Sequence, residues 1–234
     1  MKRLALVAAL ALVAGCVQRP VALPREHKAP LLYVALGDST VEGIGASSDA
    51  RNYVAQIHTR LRAVYPRAAV INLGRGGATS ADVLNDQLDR AILMKPNLVT
   101  LSVGPNDITG RVPVTDYEDN VATIFRRLTG QINAVIVVNL LPDLAATPRF
   151  RRSETESAVA ELTVEFNAAL ERQAHRYGVE VVDLYKPSQY ELPRRPELVA
   201  SDGYHPSDLG YARWAELLWR GVEKRIGHKS SEKE

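Results

Sequence analysis

Five continuously apolar segments alternate with five amphipathic ones along this chain, and this alternation constrains its fold more than any other feature. The apolar segments are Leu31–Leu36, Ala69–Leu73, Leu98–Val103, Ile132–Leu140 and Val179–Leu184. Between and after them, apolar residues recur every three or four positions, as they do on one face of a helix. Apolar strands that alternate with helices form a parallel sheet covered by helices on both faces. The sequence therefore predicts one three-layer α/β/α domain around a mostly parallel, five-stranded sheet.

The first residues have the layout of a secretory signal. Two basic residues precede an apolar stretch, Leu4–Ala14, that is too short for an ordinary transmembrane helix. The segment Val13-Ala14-Gly15-Cys16 resembles the cleavage box of bacterial lipoproteins, which implies a signal peptide over residues 1–15 and a lipid on Cys16. The alternative is an ordinary signal peptide in which Cys16 falls at the cleavage site by coincidence. We expect an exported protein that is held at the membrane of the cell envelope by a lipid anchor on Cys16.

The remaining composition bounds the class of protein. Residues 16–30 carry three prolines and alternating charge, which is typical of a tether, and residues 227–234 form a polar tail. Without the two basic residues of the signal, the chain has 27 basic and 27 acidic residues, whereas nucleic-acid-binding proteins normally have a basic excess. Cys16 is the single cysteine, so no internal disulfide can form. We expect a domain over residues 31–226 that is stabilised by its core and binds no nucleic acid.

Four short polar motifs accompany the predicted strands. They are Gly37-Asp38-Ser39 after the first strand, Asn72-Leu73-Gly74 with Gly77 at the second, Gly104-Pro105-Asn106-Asp107 after the third, and Asp202-Gly203-Tyr204-His205-Pro206 before the last helix. The carboxyl ends of parallel strands share one edge of the sheet, so motifs far apart in sequence meet there. The sequence therefore predicts a single site at that edge.

Ser39 is the candidate nucleophile, because a base and an orienting carboxylate are available for it. His205 is the candidate base, and Pro206 biases its backbone away from helix and so places it in a loop. Asp202, three residues earlier, can turn back to the far nitrogen of the imidazole and hold its tautomer. Asp183, at the end of the fifth strand, is the competing carboxylate.

Attack on an ester creates an oxyanion, which requires hydrogen-bond donors. Gly74 suits this role because a glycine lets substrate approach its backbone N–H closely. The side-chain amide of Asn106 and the backbone N–H of Ser39 are the other expected donors. Alternatively, Gly74 only forms a turn and Asn106 only caps its loop. Asp38 and Asp107 are expected to brace these loops rather than to transfer protons.

Together the four motifs resemble those of the SGNH/GDSL family of serine esterases, in the family's order and from about Leu31 to about Val222. The resemblance implies a flavodoxin-like SGNH hydrolase fold, a small-molecule ester as substrate, and chemistry without a cofactor or metal. The residues it implies are Ser39, Asp202 and His205 for catalysis and Ser39, Gly74 and Asn106 for the oxyanion hole. Thr40 and Pro105 depart from the usual family pattern, which affects the choice of substrate rather than the chemistry.

The leading hypothesis is a carboxylic-ester hydrolase that forms an acyl-enzyme on Ser39. Short acyl esters, lysophospholipids and O-acetylated glycans are all compatible with this chemistry, and the sequence determines neither the ester nor the oligomeric state. Two alternatives stay open. The glycine-rich turn at residues 74–77 could bind an anion without catalysis, or the same catalytic residues could transfer the acyl group to an alcohol.

Overall fold

The computed structural model describes residues 21–227 and has a central sheet of five strands. The strands are β1 (Leu31–Gly37), β2 (Ala68–Asn72), β3 (Leu98–Ser102), β4 (Val135–Asn139) and β5 (Glu180–Val182). They lie in the order β2-β1-β3-β4-β5, and every neighbouring pair is parallel. The predicted three-layer fold is confirmed, with a sheet that is entirely parallel. The predicted signal peptide, Cys16 and nearly all of the polar tail lie outside the described residues.

Helices cover both faces of this sheet. They are α1 (Ser39–Glu42), α2 (Tyr53–Val64), α3 (Ser80–Asp82), α4 (Leu88–Met94), α5 (Pro105–Thr109), α6 (Val114–Gln131), α7 (Glu156–Tyr177), α8 (Tyr185–Glu191) and α9 (Asp208–Glu223), and a π-helical turn, Val83–Gln87, joins α3 to α4. Successive side chains of a strand point to opposite faces. Accordingly, Val34 and Leu36 of β1 pack in the core beneath α4, α6 and α7, whereas Tyr33 and Ala35 pack beneath α2 and α9.

The helix ends follow from local chemistry that the sequence indicates. Thr79 caps α3: its side chain accepts from the N–H of Asp82, while the Asp82 carboxylate accepts from the N–H of Thr79. Gly178 ends α7 in the left-handed conformation, at φ 66°. Ser207 accepts from the N–H of Gly210 and so caps α9. None of the helices within residues 21–227 is both long enough and apolar enough to cross a membrane.

The sequence predicts that the domain starts at residue 31, but the packed structure begins earlier in the chain. Leu23 is only 2% exposed, and its N–H donates to the carbonyl of Arg225 at 2.7 Å. The hydroxyl of Tyr65 donates to the carbonyl of Pro24 at 2.8 Å. The second half of the predicted tether therefore packs on the domain, because it carries one apolar residue that fits a space beside α2 and the end of α9.

The strand order creates the crevice in which the site lies. From β1 the chain first builds β2 on one side and then returns to build β3 on the other. The connections that follow β1 and β3 therefore diverge to opposite faces of the sheet, and a crevice opens between them at the carboxyl ends of these strands. Ser39 follows β1 and Asn106 follows β3, so both stand at this crevice.

Candidate active site

The turn from β1 into α1 presents Ser39 at the crevice. Gly37 has φ 142°, and a side chain there would come within 1.9 Å of the carbonyl oxygen of Ser102, so only glycine fits. The Asp38 carboxylate caps α1 by accepting from the N–H of Thr40 at 2.8 Å and from its hydroxyl at 2.7 Å. Ser39 is therefore the first residue of a short capped helix.

A buried side chain that sequence reasoning missed holds the start of this turn. Gln87 lies in the π-helical turn and is 3% exposed. Its side-chain oxygen accepts from the N–H of Gly37 at 2.8 Å, and its side-chain nitrogen donates to the carbonyl of Gly37 at 2.9 Å. Only the tertiary structure brings these residues together, since they are 50 positions apart.

The structure brings the three predicted catalytic residues into one hydrogen-bonded chain. The Nε2 atom of His205 lies 2.9 Å from the Oγ atom of Ser39. The Nδ1 atom of His205 lies 2.6 Å from the Oδ2 atom of Asp202. A neutral imidazole with its proton on Nδ1 donates to Asp202 and accepts at Nε2 from the Ser39 hydroxyl. This tautomer has the arrangement that a general base needs.

Asp202 remains ionised through its hydrogen bonds. Partial burial by itself raises the pKa of this carboxyl group, but hydrogen bonds from the His205 side chain and from the N–H groups of Tyr204 and His205 hold the pKa of Asp202 below its ordinary value. The competing Asp183 accepts instead from the N–H of Lys186, at 3.0 Å. Asp183 thus braces the start of α8, and Asp202 is the carboxylate that contacts the imidazole.

Of the predicted oxyanion donors, the structure does not support Gly74. Its N–H donates to the side-chain oxygen of Asn72 at 2.9 Å. A side chain at this position would come within 2.5 Å of the backbone nitrogen of Glu42. Gly74 is therefore a glycine because it packs closely against α1, and its donor group is already used.

Gly77, later in the same motif, has the properties that Gly74 lacks. It adopts the left-handed conformation at φ 77°, a β-carbon added there would meet no atom within 4 Å, and its N–H has no acceptor within residues 21–227. The side-chain amide of Asn106 donates to the carbonyl of the adjacent Ala78 at 2.9 Å, which leaves its second hydrogen for a ligand. The N–H of Ser39 likewise has no acceptor in the described part of the chain. The sequence feature that could have indicated Gly77 as a donor is the pair of adjacent glycines, Gly76 and Gly77, at the end of the glycine-rich turn.

Asp107 ties the two donor loops together. Its carboxylate accepts from the N–H of Ser80 at 3.0 Å and from the Ser80 hydroxyl at 2.6 Å, and Asn120 donates to the same hydroxyl at 3.0 Å. The loop that carries Asn106 is thereby fixed to the helix start that follows Gly77. The expected bracing role of Asp107 is confirmed.

Asp38 carries a cost to stability that depends on pH. Burial raises its pKa from 3.8 to about 6, although hydrogen bonds from Thr40 oppose the increase. Above pH 6 the Asp38 carboxylate is ionised in both states. Water solvates the charge in the unfolded chain, but burial removes that solvation in the folded protein. The cost is fully present above pH 6 and disappears as the pH falls from 6 towards 3.8, because only the folded protein then takes up the proton.

We therefore expect Asp38→Asn to increase the free energy of unfolding at pH 8 by about 1 to 3 kcal/mol, with the difference nearly gone at pH 4. Asparagine keeps the oxygen that caps α1 and removes the charge. Urea unfolding at the two pH values measures the effect. Asp208→Asn is the control of opposite sign, because hydrogen bonds from Ser47 lower the pKa of Asp208. A decrease in stability for Asp38→Asn at pH 8 would contradict the prediction.

A narrow, mostly apolar cavity opens beside Ser39 and His205. It runs between α8 and α9 and is also lined by the loop that follows β4. Its empty space, counted with the open mouth, is about 720 Å³, which lies within the range of small-molecule sites. Within residues 21–227, no group of three or more His, Cys, Asp or Glu side chains is placed to hold a metal ion.

The sequence is similar to a known family and to one named relative. The sequence profile of a family described as GDSL-like lipase/acylhydrolase matches residues 35–213. A GDSL-like esterase of Mycobacterium tuberculosis is 29% identical over 206 residues, which cover 82% of this chain and 62% of the relative. The chain therefore spans less than two thirds of that relative's length.

Solved structures with a similar fold include two enzymes of low sequence identity. An α/β hydrolase from the metagenome of Lake Arreo has a TM-score of 0.69 at 21% identity, with 84% of this chain and 97% of the other covered. An acetylxylan esterase of Geobacillus stearothermophilus has a TM-score of 0.68 at 20% identity, with 83% and 96% covered. At 20 to 21% sequence identity, this likeness supports the fold alone.

Proposed function

This chain belongs to the GDSL-like lipase/acylhydrolase family, and we propose on that basis that it is a carboxylic-ester hydrolase with Ser39 as its nucleophile. The observation that carries the proposal is the continuous chain of hydrogen bonds from Ser39 Oγ through His205 to Asp202, at 2.9 and 2.6 Å. A serine at the mouth of a cavity, with a base and an orienting carboxylate in contact, has the parts that acyl transfer requires.

The first half of the reaction forms the acyl-enzyme. Ser39 Oγ attacks the ester carbonyl carbon while His205 Nε2 accepts the serine proton. The Asp202 carboxylate stabilises the imidazolium that results. When the tetrahedral intermediate collapses, the bond to the alcohol oxygen breaks, and His205 returns the proton to that oxygen. The alcohol leaves, and the acyl group stays on Ser39.

The second half releases the acid. His205 Nε2 accepts a proton from water as the water oxygen attacks the acyl carbon, and the bond to Ser39 Oγ breaks as the proton passes to that oxygen. In both halves a negative charge develops on the former carbonyl oxygen. We assign its stabilisation to the N–H groups of Ser39 and Gly77 and to the side-chain amide of Asn106, because these donors are free for a ligand.

The test of this function is hydrolysis of p-nitrophenyl esters from acetate to decanoate, with Ser39→Ala as the inactive variant. We expect release of nitrophenol above the buffer rate for at least one ester, and loss of that release in the variant. Absence of hydrolysis for every ester, or equal rates in both proteins, would disprove the proposal.

We also propose that the enzyme works at the cell envelope, held by a lipid on Cys16. The lipoprotein-like box at residues 13–16 supports this proposal. We expect Cys16→Ser to move the full-length protein from the membrane fraction to the soluble fraction after expression in bacteria. Recovery of the unaltered protein in the soluble fraction would show that the anchor is absent.

A further inference from the structure

The cavity beside Ser39 follows one face of α9 away from the catalytic residues. Gly210, Arg213 and Leu217 all line it, and at 1.5 Å per helical residue Arg213 lies about 4.5 Å and Leu217 about 10 Å beyond Gly210. The carbonyl oxygen of Leu198 lies against Gly210, where a side chain would approach it to 2.1 Å. The same side chain would lie 3.0 Å from the β-carbon of Pro206, which follows His205. Gly210 is therefore on the His205 side of the cavity.

The other end of the cavity is also apolar. Leu184 and Leu217 line it and are 2% and 8% exposed. Pro187 of α8 also lines this end. Pro187 and Leu217 together line a second depression on the outer surface as well, so α8 and α9 are neighbours here. Hydrophobic surface therefore continues past the middle of the cavity.

An ion pair joins α8 to α9 at a level of α9 between Gly210 and Leu217. Glu191, the last residue of α8, accepts from Arg213 through both carboxylate oxygens, with the closest nitrogen and oxygen 2.7 Å apart. Both side chains line the cavity, and they are only 17% and 25% exposed. Arg213 is held further by Glu216 at 2.8 Å. We call this pair the Glu191–Arg213 bridge.

We propose that the Glu191–Arg213 bridge sets the maximum length of the acyl chain that the enzyme accepts. The inference rests on the proposed function. A short acyl chain on Ser39 would contact apolar side chains on the near side of the bridge. A longer chain would have to displace the bridge or remove its remaining water, and both cost free energy. The acyl group, rather than the alcohol, suits the cavity because it stays on Ser39 between the two half-reactions, whereas the alcohol must leave.

The test compares kcat/KM for p-nitrophenyl esters of straight-chain acids from acetate to dodecanoate. In the wild type we expect an increase of about fourfold for each added methylene up to the length that reaches the bridge, and no increase beyond it. In the double variant Glu191→Leu/Arg213→Met the increase should continue, so that two further methylenes raise the ratio of long-chain to butanoate activity roughly 16-fold. Adding Leu217→Phe to this variant should cancel that gain.

The matched control is Glu118→Leu/Arg172→Met. This pair also joins two helices, α6 and α7, at 2.7 Å, but it does not line the cavity. Its chain-length profile should equal that of the wild type. The same cut-off in the Glu191→Leu/Arg213→Met variant as in the wild type would overturn the proposal. A length dependence that occurs only with alkyl acetates, in which the alcohol varies, would overturn it too.

A second measurement keeps the proposal testable if the double variant does not fold. Competitive inhibition of the wild type by straight-chain carboxylates from butanoate to dodecanoate should strengthen about fourfold per methylene and then stop strengthening at the chain length at which kcat/KM stops increasing. Inhibition that strengthens through dodecanoate would overturn the role of the bridge. These outcomes differ from failure of the proposed function, in which wild type and Ser39→Ala give the same rate with every ester.

Discussion

Ser39→Ala should lower kcat for a short p-nitrophenyl ester by a factor on the order of 10⁴ to 10⁶. The change removes the atom that forms the acyl-enzyme, so attack can come only from water. Donors to the oxyanion and contacts with the substrate remain, and they leave a residual rate above that in buffer. Steady-state kinetics measure the loss, and rapid mixing should show a burst of nitrophenol in the wild type if deacylation is slower than acylation.

The fold should survive this change. The Ser39 hydroxyl forms one side-chain hydrogen bond, to His205, and we expect its loss to change the free energy of unfolding by no more than about 1 kcal/mol. Ser153→Ala, at an exposed serine in the loop before α7, is the matched control and should keep full activity. A Ser39→Ala protein that is folded and retains a tenth or more of the wild-type kcat would rule out Ser39 as the nucleophile.

Asp202→Asn should lower kcat by a factor on the order of 10⁴. The amide oxygen can still accept from the N–H groups of Tyr204 and His205, so we expect the loop to keep its shape. The amide nitrogen, however, would face Nδ1 and favour the tautomer with its proton on Nε2. That nitrogen could then no longer accept the proton of Ser39.

The control for this prediction is Asp183→Asn. Asp183 contacts the backbone at the start of α8 rather than the imidazole, and we expect its variant to stay within about threefold of the wild-type kcat, as is typical of a surface position. Measuring kcat of both variants at one pH shows which of the two carboxylates orients His205. Equal losses, or a larger loss in Asp183→Asn, would show that Asp202 is not the orienting group.

The fold and the candidate residues Ser39, His205 and Asp202 could be predicted from the sequence because the patterns that indicate them lie within short segments. The strands are mostly apolar runs, the long helices have a periodic apolar face, and some helices begin at a side-chain cap, such as Thr79 for α3 and Ser207 for α9. His205 and Asp202 are three residues apart, so one tight turn joins them. Ser39 follows directly on β1, whose end lies at the edge where parallel sheets form their sites.

The oxyanion site illustrates the limit of such reasoning. Gly74 and Gly77 are both glycines in one short motif, and either could offer its N–H to a ligand. The choice depends on what surrounds each backbone. Gly74 is packed against Glu42 and bonded to Asn72, while Gly77 stands in open space. Asn72 is only two residues from Gly74, but Glu42 comes from another part of the chain. No local pattern indicates that α1 packs against Gly74 and leaves Gly77 uncovered.

The sequence by itself determined the order of elements and the parallel sheet, and it indicated Ser39, His205 and either Asp202 or Asp183 as candidate site residues, because these depend on residue type and on spacing along the chain. Only the tertiary structure decided that Gln87 holds Gly37, that Leu23 belongs to the packed domain, and that the Glu191–Arg213 bridge lies in the lining of the cavity. These contacts join residues from 22 to 202 positions apart. Hydrogen bonds and packing at such separations depend on how whole helices and strands are arranged, and this arrangement has no signature in any short segment.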